Sequence, residues 1–140
     1  MNKEEALELF HKYNDPRRWE YPEKYDYLGA ISQFSRFVKA LDVATGHPHK
    51  VETGSHIQDA SFHSEVYINT GWLRFSNFGN MVSITPDHEV DSATVTTILR
   101  LCQEMGYTFI PTEFTELPYT GTNPGVTGIR NWWIRYFDYV

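Results

Sequence analysis

The sequence predicts an α+β domain, in which helices cover one face of an antiparallel sheet of four or five strands, in the order α-α-β-β-β-α-β-(β). Three observations predict this fold. Apolar residues recur at helical spacing before residue 45, alternate with polar residues between Ile57 and Thr85, and return to helical spacing after Asp91. A chain of 140 residues suits one globular domain, and we expect a single domain over 1–140.

Two helices are predicted in the N-terminal third of the chain. Asn2 is a candidate N-cap for NKEEALELFHKY, whose first turn carries acids that the helix dipole favours. From about Tyr25 to Val43 an apolar stripe predicts a second helix, which Gly46 ends. We interpret NDPRRWEYPEKYD, with its two prolines, as a connector, and GHPHKVETGSH as a polar loop.

Three short strands of a meander are predicted next. Apolar residues alternate with polar ones in each: Phe62, Val66 and Ile68, then Leu73 and Phe75, then Val82 and Ile84. This alternation predicts a sheet with one apolar face and one face exposed to solvent.

A third helix and a fourth strand follow the meander. Asp91 as N-cap and Gly106 as a stop signal bound a helix over about 92–105. Cys102 lies on the apolar stripe of this helix, so we expect a buried and unreactive thiol. The aromatic and β-branched residues of YTFIP predict the fourth strand.

The last segment, GIRNWWIRYFDYV, gives two conflicting signals. Its apolar residues form an unbroken helical stripe, but WWIRYFDYV is short and has the residue types that strands favour. We predict a last strand at about 131–138. Because neighbouring residues of a strand point to opposite faces, one of Trp132 and Trp133 should pack inside and the other should reach the surface.

Acidic residues are distributed unevenly. The net charge is −6; residues 1–50 hold eight acids and eight bases, whereas residues 51–120 hold nine acids against Arg74 and Arg100. A surface of this sign repels nucleic acid and anionic membranes, so we expect neither as a partner. A single cysteine, with no stretch typical of a signal peptide or a membrane span, predicts a cytoplasmic protein.

The leading functional hypothesis is a non-enzymatic interaction module that binds a basic protein partner and needs no cofactor. No hydrolase elbow, zinc-protease motif or nucleotide-binding loop occurs in the sequence. The most concrete version is an immunity-type protein that neutralises a bacterial toxin by placing acids in the toxin's phosphate-binding cleft. The predicted partner-binding residues are acids of the middle region and anchors near the end of the chain: Asp87, Glu89, Glu113, Glu116, Trp132 and Arg135.

An alternative is a small enzyme, or a metal-dependent binder, on the solvent-exposed face of the sheet. His63, Glu65 and Tyr67 are two residues apart along one strand, which predicts that they share a side, as acid/base chemistry requires. The long loop at 115–128 is expected beside them, and long ordered loops often carry function.

Two further hypotheses concern a metal and an oligomer. His47, His49 and His56 fall in one polar loop, although a zinc site needs three or four converging ligands. A homodimer formed through the sheet edge or the C-terminal aromatic residues is compatible with either function.

Overall fold

The computed structural model describes residues 1–54, 60–86, 89–122 and 128–140. Its centre is a five-stranded sheet in the order β1-β2-β3-β4-β5. The elements are α1 (Lys3–Tyr13), α2 (Tyr27–Thr45), β1 (Val51–Thr53), β2 (Phe62–Ile68), β3 (Gly71–Ser76), β4 (Met81–Ile84), α3 (Ser92–Glu104), β5 (Thr108–Phe109), α4 (Thr112–Thr115) and a C-terminal π-helix (Ile134–Asp138). The predicted α+β fold is confirmed.

Side-chain caps begin the three long helices. In α1 the Asn2 side chain accepts from the backbone N–H of Glu5 at 2.9 Å, and the Glu5 carboxylate accepts from the backbone N–H of Asn2 at 3.2 Å. Asp26 and Asp91 each accept from a backbone N–H three residues later, at 3.0 and 2.9 Å. Gly46, with a φ of 79°, ends α2 in the left-handed conformation that glycine adopts without steric cost.

The larger core lies between the sheet and the helices α2 and α3. Alternate residues of β2 and β3 point to this side: Val66, Ile68, Leu73 and Phe75, all at most 2% exposed. The rings of Phe34 and Phe37 on α2 stand edge-on to Phe75, with centroids 4.9 and 5.1 Å apart. Each such side chain stabilises the fold by about 1.5–3 kcal/mol when it is fully buried.

A second core joins α1, the β3–β4 turn, α4 and the C-terminal residues. Phe10 of α1 stacks on Trp132 with ring centroids 5.1 Å apart, and Tyr136 donates a hydrogen bond to the carbonyl of Phe10. Phe78 and Phe137 are also buried in this cluster. The aromatic ending of the chain is therefore core.

The predicted strand at 131–138 is wrong, because a helical turn at 132–133 leads into the π-helix. Asn131 accepts a hydrogen bond from the backbone N–H of Ile134 at 2.9 Å and so begins the turn. Trp132 and Trp133 are both buried, so the prediction that one reaches the surface is also wrong. Trp132 contacts α1 and Trp133 packs against Arg74 of the sheet, so both rings lie inside the fold.

Three other details differ from the prediction. Val51–Thr53 forms a strand where a loop was predicted, and it pairs antiparallel with β2. The strand β5 is parallel to β4, so the sheet is mixed, because α3 carries the chain back across the sheet. Helical segments cover both faces, since the π-helix packs on the side opposite α2, where Arg74 donates to the carbonyl of Phe137 at 3.0 Å.

Candidate functional site

A cleft of about 410 Å³ opens between the α1–α2 connector and the start of β2. Its volume lies in the range of small-molecule sites. Six side chains characterise the lining: Tyr21, Tyr25 and Tyr27 from the connector and the start of α2, Phe62 and His63 from β2, and Asn77 from the β3–β4 turn. Tyr21 and Tyr27 are 50% and 41% exposed, so two of the three rings are open to a ligand.

Asn77 holds the wall of the cleft in place through its side-chain hydrogen bonds. Its side-chain N–H groups donate to the carbonyls of Glu20 and Ala60 at 2.8 and 2.9 Å, and its side-chain oxygen accepts from the hydroxyl of Tyr25 at 2.8 Å. Burial raises the pKa of Tyr25, so this hydroxyl keeps its proton. The Asn77 side chain therefore bonds the β3–β4 turn to the connector and to the segment before β2.

Arg135 holds the other end of the connector. It is fully buried and donates to the Asn14 side chain at 2.8 Å and to the carbonyls of Asp15, Arg18 and Trp19 at 3.2, 2.7 and 3.3 Å. Burial lowers the pKa of this guanidinium. Arg135 and Trp132 were predicted to contact a partner, and this is wrong because both lie inside the fold.

His63 is the extra residue of a β-bulge in β2. The register against β3 shifts between Phe62 and Ser64, and this turns His63 toward α2, where its ring lies 6.2 Å from that of Phe34. Burial lowers the pKa of His63 to about 4, so the imidazole is neutral at pH 7. Its Nδ1 bonds to the Ser64 hydroxyl at 2.8 Å.

The bulge separates the residues of the proposed catalytic set. Glu65 faces the opposite side of the sheet, where its carboxylate accepts from Arg74 at 2.9 Å and is buried. Tyr67 lies farther along β2, stacked edge-on against Trp72 at 5.1 Å. The prediction that His63 and Glu65 share a side is therefore wrong, since the period of two is broken between them.

The described part of the 115–128 loop contacts α1 instead of this side of β2. Thr120 bonds to His11 at 3.0 Å, and Asn14 donates to the Tyr119 hydroxyl at 3.0 Å. This loop therefore closes the second core.

Two of the three proposed metal ligands are adjacent. The rings of His47 and His49 have centroids 4.5 Å apart, and His49 Nδ1 bonds to the Asp42 carboxylate at 2.7 Å. His56 lies outside the described residues. Within the described ranges, no three His, Cys, Asp or Glu side chains are arranged to hold a metal.

Exposed acids lie on α1 and α4, two helices that pack against each other. Ala6 and Phe10 of α1 belong to the same apolar cluster as Phe114 of α4, and this packing leaves the acids of both helices exposed. The exposed acids of the two helices, which we call the acidic face, are Glu4, Glu5, Glu8, Glu113 and Glu116. None of the five is in an ion pair within the part of the chain that the structure describes.

The other two predicted acids of the partner surface are Asp87 and Glu89. Glu89 is exposed shortly before α3, and Asp87 lies outside the described residues. Sequence reasoning missed the acids of α1, because Lys3 and Lys12 belong to the same helix and the N-terminal charges cancel. It also missed the cleft, for which the signal was three tyrosines within the seven residues 21–27 of a polar segment.

No family model matches the chain, and neither a curated protein nor a solved structure matches it. Of the helices in the described ranges, none is long and apolar enough to cross a membrane.

Proposed function

We propose that the protein is a non-enzymatic binding module of the cytoplasm that recognises a basic protein partner through the acidic face. The proposal rests on the observation that two helices in contact, α1 and α4, carry five exposed acids. Two of them, Glu113 and Glu116, come from the acidic middle region of the sequence. Unpaired exposed acids steer a basic partner and speed association, and this effect weakens with salt.

The most concrete form of this function is an immunity-type protein that neutralises a bacterial toxin. Toxins that cleave nucleic acids carry basic clefts for phosphate, and a group of carboxylates complements such a cleft. The partner would be recognised by charge complementarity.

Affinity capture on the purified protein tests the proposal. Retention is compared in about 0.1 M and about 1 M salt, where the Debye length is roughly 10 and 3 Å, and the retained partner is identified and purified. The double variant Glu113→Lys with Glu116→Lys should weaken binding of the purified partner about tenfold at low salt, which corresponds to about 1.4 kcal/mol.

The matched control is Glu104→Lys on α3, compared with the single variant Glu113→Lys because each changes the net charge by +2. Glu104 is an exposed acid that already pairs with Arg100 at 3.4 Å, and it lies outside the acidic face. Its reversal should change affinity less than twofold. Equal losses in both variants, or a partner whose binding ignores salt, would rule out recognition by this face.

A second function, a small enzyme, is favoured by one observation. His63 is a buried imidazole with a strongly lowered pKa beside a cleft, a combination that is common in active sites. We propose this alternative with the cleft as its site, where the neutral ring can act only as a base. Turnover of phenyl esters by the protein, lost in His63→Phe, supports it; equal rates with and without the protein exclude it for this substrate class.

A further inference from the structure

One arrangement of protons satisfies all three hydrogen-bond contacts of His63, Thr53 and Ser64. The Thr53 hydroxyl donates to the carbonyl of His63 at 3.5 Å, since a carbonyl can only accept. Thr53 has one hydroxyl proton, so its oxygen accepts from the Ser64 hydroxyl at 2.8 Å. Ser64 has then used its own proton and accepts from Nδ1–H of His63 at 2.8 Å.

In this arrangement Nε2 of His63 is an acceptor. The ring is neutral, so only one nitrogen carries a proton, and here that nitrogen is Nδ1. Within the described part of the chain, no group bonds to Nε2. His63 lines the cleft and is only 6% exposed, so its ring occupies a largely desolvated position there.

The other side chains of the cleft favour a flat ring. Tyr21 and Tyr25 stack with centroids 6.1 Å apart, and Tyr27 stands edge-on to Tyr25 at 6.5 Å. The exposed faces and edges of these rings pack best against another planar aromatic group. Arg18, Glu23 and Lys24 also line the cleft, so its charged groups have both signs and a net charge of only +1.

We propose that the cleft binds a flat aromatic group bearing a hydrogen-bond donor, such as a phenol O–H or an indole N–H, with the donor bonded to Nε2 of His63. This binding is independent of the acidic face and of any catalysis. The same chemistry occurs in a free phenolic compound and in a tyrosine side chain of a protein partner.

Titration of the 140-residue protein, followed by its amide NMR shifts, tests the proposal with three probes. Phenol has a ring and a donor, anisole has the ring without the donor, and cyclohexanol has the donor without the ring. Phenol should bind at least threefold more tightly than either of the others, as expected for one neutral hydrogen bond or one ring contact. A phenol preference below threefold over anisole overturns the proposal.

Variants separate a ligand contact from a structural role. In His63→Phe the ring contacts with Phe34 and Phe75 can be kept while the acceptor is lost, so phenol and anisole should bind equally. Tyr27→Ala should weaken both ligands. Tyr67→Ala is the matched control, because Tyr67 has nearly the same exposure, 39% against 41%, and lies outside the cleft.

The imidazole nitrogen shifts of His63 give a measurement that needs no variant. They should report a protonated Nδ1 and a bare Nε2, and phenol should move the Nε2 signal. A protonated Nε2 in the free protein contradicts the proposal. Titration with N-acetyltyrosinamide then distinguishes the two sources of the aromatic group. An affinity equal to that of phenol supports a tyrosine side chain of a protein partner. An affinity at least tenfold lower supports a free phenolic compound.

Discussion

Replacing Arg135 by methionine should destabilise the protein by about 3 kcal/mol. The substitution removes four hydrogen bonds, of which two are short, to Asn14 at 2.8 Å and to the carbonyl of Arg18 at 2.7 Å. A hydrogen bond from a charged donor contributes about 1.5–3 kcal/mol, so the short pair alone gives about 3 kcal/mol at the lower limit. The two longer bonds roughly offset the desolvation that a buried guanidinium costs.

Urea denaturation followed by tryptophan fluorescence measures this loss. With a typical slope of about 2 kcal/mol per molar urea, the midpoint should fall by about 1.5 M. Arg130→Met is the matched control, because Arg130 is an exposed arginine of the same segment and its replacement should cost less than about 0.5 kcal/mol. An Arg135→Met variant within about 1 kcal/mol of the wild type would refute the assignment of Arg135 as the residue that holds the connector.

Three further predictions concern single residues. The free energy of unfolding should fall by about 2 kcal/mol from pH 7 to pH 5. The reason is that His63 takes up a proton at its ordinary pKa of 6.5 in the unfolded state but only at about 4 in the folded state. In urea titrations of His63→Phe this loss of about 2 kcal/mol should be absent. Gly79→Ala should lower the free energy of unfolding by more than about 2 kcal/mol, because its Cβ would lie 2.5 Å from the Tyr13 ring at a φ of 62°. Gly46→Ala has open space around its Cβ at a φ of 79°, so in the same denaturation assay it should lower the free energy of unfolding by about 1 kcal/mol. Burial raises the pKa of Cys102 to about 12, so a thiol reagent should label the native protein at least about 100-fold more slowly than the urea-unfolded chain, and equal labelling rates would contradict its burial.

The helices α1 and α3 and the strands β2 to β5 could be predicted because their signals are local. A cap such as Asp91 acts on an amide three residues away, and the period of an apolar stripe is a property of one segment. The burial of Cys102 follows from the same stripe. These features can be predicted without knowing what the segment packs against.

The bulge at His63 and the ending of the chain could not be predicted in this way. A bulge is defined by the pairing of two strands, so the residues of β2 alone do not show where its period breaks. The residues at 131–138 have strand-like composition, but strand propensity mainly reports a half-buried surface, and this segment is buried on several sides. The partners of Arg135 are 116 to 121 residues away in the sequence, which no local pattern encodes.

The alternation of polar residues in β2 and β3 led to the wrong prediction that one face of the sheet is exposed to solvent. Glu65 and Arg74 occupy the polar side of these strands, yet they form an ion pair under the π-helix, and Arg74 also bonds to Asp138 at 2.6 Å. Arg74 thus attaches the π-helix to the sheet, while Arg135 of the same helix attaches it to the connector that forms the cleft wall.

Because of this arrangement, variants can distinguish the two proposed binding surfaces, the cleft and the acidic face. Because Arg135 positions the backbone of Arg18 and the connector that continues to Tyr21, its replacement should weaken phenol binding in the cleft even where the protein remains folded. The reversal of Glu113 changes an exposed acid on α4 and touches none of the residues that line the cleft, so it should leave phenol binding unchanged and affect only a basic partner. If Glu113→Lys altered phenol affinity as much as Arg135→Met did, the cleft and the acidic face would be one coupled site, and neither could be assigned its own ligand.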